Sequence, residues 1–201
     1  FYMSFSLPHF NTLQRWYSYL FSISVKKWES NGEQLELDYF KGEYRLSTAD
    51  TFYSNGMKYR PFYYAYQYLQ DQHRLGQLKN VLVLGGGLAA NVLMWAQFGG
   101  FDGRRFTIVE FDESIATVAD AIIKHTNPAI HYQIHVADAY AYVNNETATY
   151  DLVNLDVFIN SVVPDQFCSA AFLQSLHDKL NPNGTLIMNY MVHDAGKWER
   201  L

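Results

Sequence analysis

Gly85-Gly86-Gly87 follows the continuous apolar run Val81-Leu82-Val83-Leu84. Glycines at such a place let the backbone approach a ligand and leave helix amides pointing at it. Alone the signal is weak, because Gly85-x-Gly87-x-x-Ala90 also fits a dinucleotide fingerprint. Glu110 stands 25 residues after Gly85, at the end of the next apolar run, as an acceptor placed for two ribose hydroxyls. Asp138, in Val136-Ala137-Asp138-Ala139, follows a third run and can accept from an exocyclic adenine amine. Each carboxylate by itself reads equally well as a solvated loop residue. Their joint placement after three consecutive strands is what points to one site.

The elements that must position these residues separate into two regions by periodicity. Asn11 caps a predicted helix over Thr12–Phe21, with Leu13, Trp16, Tyr17 and Leu20 on one face. Ile23–Trp28 reads as a strand and Asn31-Gly32 as a turn. Leu35, Leu37 and Tyr39 then alternate with Glu36 and Asp38, and Lys41-Gly42 turns the chain into Glu43–Ser47. That is a small antiparallel meander. Pro61 suits the first residue of a helix running to about Arg74, with Gly76 just beyond its end.

From Lys79 the pattern becomes strand–helix alternation. Predicted strands cover 81–84, 106–110, 131–136, 151–155 and 185–190. Helices are expected over 89–98, 113–125, 139–144 and 166–180, the last ending at the turn Asn181-Pro182-Asn183-Gly184. The implied fold class is α/β: a doubly wound, mainly parallel, Rossmann-like sheet preceded by the meander. The expected domains are residues 1–58, the helix and meander, and 59–201, the nucleoside-binding domain. In such sheets ligands sit at the carboxyl ends of strands, where strand order reverses.

Composition limits the alternatives. A net charge of −5 supplies no basic excess for phosphate backbones, so a nucleic-acid partner is not expected. One cysteine, Cys168, excludes an internal disulfide framework and any multi-cysteine zinc site. No apolar run approaches the ~18 residues of a membrane span. Phe1-Tyr2-Met3-Ser4-Phe5 lacks the basic flank of a signal peptide, and the expectation is a cytoplasmic protein with no membrane partner. Twenty of the 34 aromatic residues lie in residues 1–70. A cluster such as Phe62-Tyr63-Tyr64-Ala65-Tyr66 either packs a small core or lines a substrate mouth or subunit interface. His131 and His135 share one face of a strand but have no third ligand with metal spacing. Cys168 reads as a small helix residue, and Asp112 and Glu113 as the start of a helix.

Val81–Gly87, Val109-Glu110-Phe111-Asp112, Val136–Ala139 and Tyr150–Asp156 resemble successive motifs of spermidine-synthase-like proteins, which have the class I methyltransferase fold. The likeness runs from about residue 23 to 190, and the proline-bearing loop Val162–Phe167 is similar too. It implies an S-adenosylmethionine-type nucleoside, or its decarboxylated form, as cofactor. It implies binding by Gly85, Gly86, Gly87, Glu110, Asp138 and Ala139, with Glu110 on ribose and Asp138 on adenine. Asp156 matches the aspartate that orients and helps deprotonate an attacking amine, and is the candidate catalytic residue.

Three positions depart from the family's pattern. Leu88 and Ile159 stand where synthases carry aspartates, and their tyrosine–glutamine pair has no clear match near Tyr59–Tyr68. A polycationic acceptor entering a pocket without those carboxylates would go uncompensated, which argues against efficient spermidine synthesis. The leading expectation is therefore a methyl or alkyl transferase acting on a small-molecule acceptor, with an amine as one candidate. Aminopropyl transfer, a non-catalytic nucleoside-binding scaffold and an NAD-dependent oxidoreductase are the alternatives, the last giving Asp138 no role. The resemblance also implies a homodimer. It further implies a helix and two strands after the fifth strand, so a partial chain is expected.

Overall fold

A computed structural model describes residues 5–48, 52–54, 60–159 and 162–190. Expectations that rest on Phe1–Ser4, Tyr59 or the segment after Tyr190 lie outside the described residues. The meander is a four-stranded antiparallel sheet, β1 (Ile23–Ser30), β2 (Glu33–Phe40), β3 (Glu43–Ser47) and β4 (Phe52–Ser54), in that order. Two tight turns set its register. Asn31 and Gly32 have φ of 52° and 81°, and Lys41 and Gly42 have 53° and 83°. A left-handed pair of this kind matches the twist of the flanking strands. Leu35, Leu37 and Tyr39 face inward as their alternation requires, and Phe10 stacks on Tyr39 at 4.3 Å between ring centroids. The fourth strand was not foreseen, because three residues are too few to show a period.

The preceding helix, α1 (Thr12–Ser18), starts at a capping box between Asn11 and Gln14. It is shorter than expected. Leu13, Trp16, Tyr17 and Leu20 are exposed, so amphipathic spacing here does not mark a buried face. The helix is fastened by Ser18, which is buried and whose carbonyl accepts from the Lys41 amide.

The second sheet contains β5 (Asn80–Leu84), β6 (Arg105–Glu110), β7 (His131–Val136), β8 (Tyr150–Leu155) and β9 (Leu180–Met188). Their order is β7-β6-β5-β8-β9, and every pairing is parallel. Strand order therefore reverses between β5 and β8. Alternate residues of the buried strands feed two cores. Val81 and Val83 join α2 (Arg60–Asp71), α3 (Ala90–Leu93) and α4 (Glu113–Thr126) on one face. Leu82 and Leu84 join α5 (Ala139–Asn145) and α6 (Ala170–Asp178) on the other. Leu35, Leu37 and Leu46 of the meander belong to the first core. Phe62, Tyr66 and Leu69 are the buried stripe of α2, so the aromatic run there is split between packing and an exposed side carrying Tyr64 and Tyr68.

Three predicted elements are corrected. The helix expected over 89–98 is one α-turn followed by a 3-10 turn over Met94–Gln97; it begins at Ala89, whose φ is +60°, not at an ordinary cap. The helix expected over 166–180 is interrupted at Ser169, whose Oγ accepts from the Phe172 amide and caps α6 afresh after a 3-10 turn over Asp165–Cys168. Asn181-Pro182-Asn183-Gly184 does not precede the last strand but bulges within it. Tyr150 pairs with Leu180 and Leu152 with Thr185, so Asp151 alone opposes four residues. Its carboxylate accepts from Asn181 Nδ2 at 2.7 Å and holds the bulge. Proline is tolerated at such a position because no ladder amide is needed.

Candidate functional site

The carboxyl ends of β5, β6, β7 and β8 bring Gly85, Glu110, Asp138 and Asp156 to one edge of the sheet. Gly85 and Gly86 donate to the Val109 carbonyl at 3.0 and 3.1 Å, folding the turn back over β6. Gly85 sits at φ +84°, and a Cβ there would collide with the Asp156 carbonyl. A Cβ on Gly86 would lie 2.6 Å from Ile108 Cγ2. Neither position admits a side chain, so Gly85 and Gly86 are required by close approach at the switch point.

Glu110 is half-buried and holds this turn. Its Oε2 accepts from the Gly87 amide at 2.8 Å and its Oε1 from the Asp112 amide at 3.0 Å. Burial pushes its carboxyl above the usual range, and the charge of Asp112 adds to this, against the opposing pull of the Asp112 and Gly87 amides. Each oxygen retains lone-pair capacity for a further donor.

Asp138 caps α5, its Oδ1 accepting from the Ala141 amide at 2.8 Å. It is exposed, and Ala139 beside it is buried as the first residue of α5. The Ala137 amide donates to the Glu110 carbonyl at 3.0 Å, which ties the two acidic loops together.

Asp156 closes the other side of the switch. Its amide donates to the Leu84 carbonyl at 2.8 Å, and its carboxylate accepts from Asn189 Nδ2 at 3.0 Å and Asn91 Nδ2 at 3.4 Å. Behind it lies a buried polar network that sequence reasoning did not anticipate. Asn91 is 3% exposed, and its carbonyl accepts from the Tyr66 hydroxyl at 3.1 Å. That hydroxyl accepts from Asn154 Nδ2 at 2.5 Å. Burial raises the Tyr66 phenol well above its ordinary value, Asn154 and Trp95 lower it in part, and the charge of Asp156 raises it further. One available signal was Asn154 itself, a polar residue inside an apolar strand run, which must find a buried partner.

The remaining candidates fall apart from this edge. Leu88 is 2% exposed and belongs to the first core, so it does not present hydrocarbon to an open site as its place after the glycines suggests. Ile159 is 61% exposed, in an isolated bridge with Val162. Cys168 is half-buried in a 3-10 turn. Among the described residues no three metal-ligating side chains converge, and no helix is long and apolar enough to cross a membrane. Asp112 caps α4 as expected. Desolvation works to raise its carboxyl, but donors from Ser114, Ser30 and Ile115 hold it below the usual range. It also accepts from Asn31 Nδ2 at 2.9 Å, while Trp28 Nε1 donates to Ser114 Oγ at 2.8 Å, so the β1–β2 hairpin is pinned beside β6.

The spermine/spermidine synthase domain model matches residues 70–192, which include every element of this edge. The chain belongs to that family. A methyltransferase acting on eEF1A lysine and N-terminus from Xenopus laevis is 31% identical over 126 residues, covering 58% of this chain and 18% of the amphibian protein. A probable spermidine synthase from Corynebacterium glutamicum superposes with a TM-score of 0.62 at 20% identity, covering 82% of this chain and 63% of that one. Human methyltransferase-like protein 13, solved with S-adenosylhomocysteine, gives 0.52 at 24% identity, with 61% and 59% covered. The chain thus spans less than two thirds of the length of each of these relatives. At these identities the two structures show the shared fold.

Proposed function

We propose that this chain is an S-adenosyl-nucleoside-dependent transferase that moves a methyl or other alkyl group to a small acceptor, with an amine as the best-fitting class. One observation carries the reading: the Glu110, Asp138 and Asp156 carboxylates stand at adjacent strand ends around a glycine turn whose first two positions have no room for side chains. The family match and the transferases among its relatives agree with it.

The residues present fit such a nucleoside. Glu110 would take the two ribose hydroxyls with the lone pairs its amide partners leave free. Asp138 keeps one oxygen for the α5 cap and offers the other to an exocyclic amine. Gly85–Gly87 would lie against the sulfonium end, which supplies an electrophilic carbon when bound. Asp156, oriented by Asn91 and Asn189, would position an attacking amine and hold the proton it gives up. Aminopropyl transfer is the second reading, favoured by the family's name. The lack of carboxylates at 88 and 159 leaves Asp156 to meet an acceptor's charge without the two aspartates that synthases carry at those positions, which weighs against a polycationic acceptor.

Calorimetric titration tests this with S-adenosylmethionine, its decarboxylated form, methylthioadenosine and NAD. Preference for S-adenosylmethionine supports methyl transfer, and preference for the decarboxylated form supports aminopropyl transfer. Preference for NAD, or no binding by any of the four, overturns the proposal.

A further inference from the structure

The opposite end of the same sheet has a feature that the nucleoside site does not use. Lys79, Arg105 and His131 stand at the amino ends of β5, β6 and β7, where Asn80 pairs with Arg105 and Arg105 with His131. With Gly103 and Arg104 they line a cavity of about 430 Å³. A second cavity, of about 560 Å³, shares Asn80, Arg105 and His131 with the first and continues toward His135 and Tyr142. Five residues of β5, at about 3.3 Å each, put this end roughly 17 Å from the glycine turn.

Arg104 is the unusual member. It is 6% exposed, yet among the described residues its guanidinium forms no ion pair. Nη1 donates to the Gly100 carbonyl at 2.9 Å, the group lies 4.6 Å from the centroid of the Trp95 ring, and Nε is buried without a partner. Burial lowers the Arg104 pKa from its ordinary value, with the charge of Asp102 opposing. A buried cation without a carboxylate is costly unless something else neutralises it.

Two carboxylates close by are already engaged, and Asp102, whose charge acts on Arg104, is exposed and forms no ion pair with it among the described residues. Asp151 accepts from the Lys79 and Asn80 amides and from Asn181. Glu146 accepts from the Tyr142 and Tyr150 hydroxyls and from the Thr147 and Ala148 amides. Lys79, Arg105 and His131 are exposed, and none of them forms an ion pair among the described residues.

We propose that this cleft binds a multiply charged phosphate group, held by Lys79, Arg104 and Arg105 with His131 at its margin. Four basic side chains around one cavity suit a polyvalent anion, with buried Arg104 adding charge from behind, and the exposed Arg105 fork matches phosphate oxygens in a way a lone ammonium does not. The ligand class is a phosphorylated small molecule or free polyphosphate, bound independently of the nucleoside edge.

The test titrates the protein with inorganic tripolyphosphate at low ionic strength, following heat and backbone amide shifts. Tripolyphosphate has no nucleoside, so binding at the glycine edge is not confused with binding here. Expected are saturable binding and shifts at Gly103, Arg104 and His131 but not at Gly85–Gly87. Lys79→Ala with Arg105→Ala should weaken affinity at least about tenfold. Lys27→Ala with Lys124→Ala, which removes two cations paired elsewhere, should leave it unchanged. If the first double variant melts early without ligand, Arg105→Gln alone supplies the comparison. No saturation at millimolar concentration, equal affinity in the cleft variants, or shifts confined to other regions would overturn the proposal. Citrate binding as tightly as tripolyphosphate would overturn the phosphate assignment.

Discussion

Replacing Glu110 with alanine tests the nucleoside edge most directly, because this carboxylate serves both the loop and the proposed ligand. Oε2 and Oε1 each hold one backbone amide, at 2.8 and 3.0 Å, and each has a lone pair left for a ribose hydroxyl. Loss of charge-assisted hydrogen bonds to the ligand corresponds to about 1.5–3 kcal/mol, or roughly 10- to 150-fold in Kd. Freeing the Gly87 and Asp112 amides loosens the turn, so the effect should fall toward the upper part of that range. The assay is calorimetric titration of S-adenosylmethionine into the wild-type and Glu110→Ala proteins. The pH dependence adds an independent check. Burial raises the Glu110 pKa, so the carboxyl's contribution to folding is complete below its unfolded-state pKa and is lost as pH rises through the folded-state value. Nucleoside binding runs the other way, because a protonated carboxyl accepts poorly. Affinity should therefore strengthen as pH rises through the raised pKa, a limb that Glu110→Gln removes. An unchanged Kd in Glu110→Ala would refute the ribose assignment.

Asp156→Asn should reduce transfer to an amine acceptor by about 100-fold or more while leaving nucleoside affinity within about threefold; radiolabel transfer to a panel of amines measures the first and calorimetry the second, and unchanged turnover would remove Asp156 from the chemistry. Tyr66→Phe strips partners from Asn154 and the Asn91 carbonyl in a fully buried setting, so urea unfolding should show a loss of about 1–3 kcal/mol. A change below about 0.5 kcal/mol would mean the network contributes nothing to stability. Leu88→Asp places a carboxylate in the core and should cost about 3 kcal/mol or more, whereas Ile159→Asp, at an exposed position, should stay within about 0.5 kcal/mol. Thermal melts separate the two, and a well-folded Leu88→Asp protein that gains polyamine affinity would show that position 88 reaches the site after all.

Much of the parallel sheet was legible because its central strands, β5 and β8 above all, are buried on both faces. Val81–Leu84 and Ile108–Val109 read as apolar runs, and Asp112 announces the helix it caps. The irregular elements were not legible for local reasons. Ser169 and the Asn181–Gly184 bulge each have a local hydrogen-bonding choice that propensity does not rank, and in both cases a side chain–backbone or cross-strand partner decided it. The same limit applied to α1, where spacing defined a face but not whether anything would cover it.

Sequence by itself determined the order of strands and helices, the glycine turn, and the carboxylates that end β6, β7 and the segment after β8. These depend on local pattern: residue period, cap chemistry and the absence of side chains. Only the tertiary structure decided that Leu88 turns into the core, that Tyr66, Asn91 and Asn154 form a buried network behind Asp156, and that Arg104 is buried beside Lys79, Arg105 and His131 at the far end of the sheet. Tyr66 and Asn154 are 88 positions apart in the chain. Pairings over such distances are set by which strand lies beside which, and a single chain's residue pattern does not carry that information.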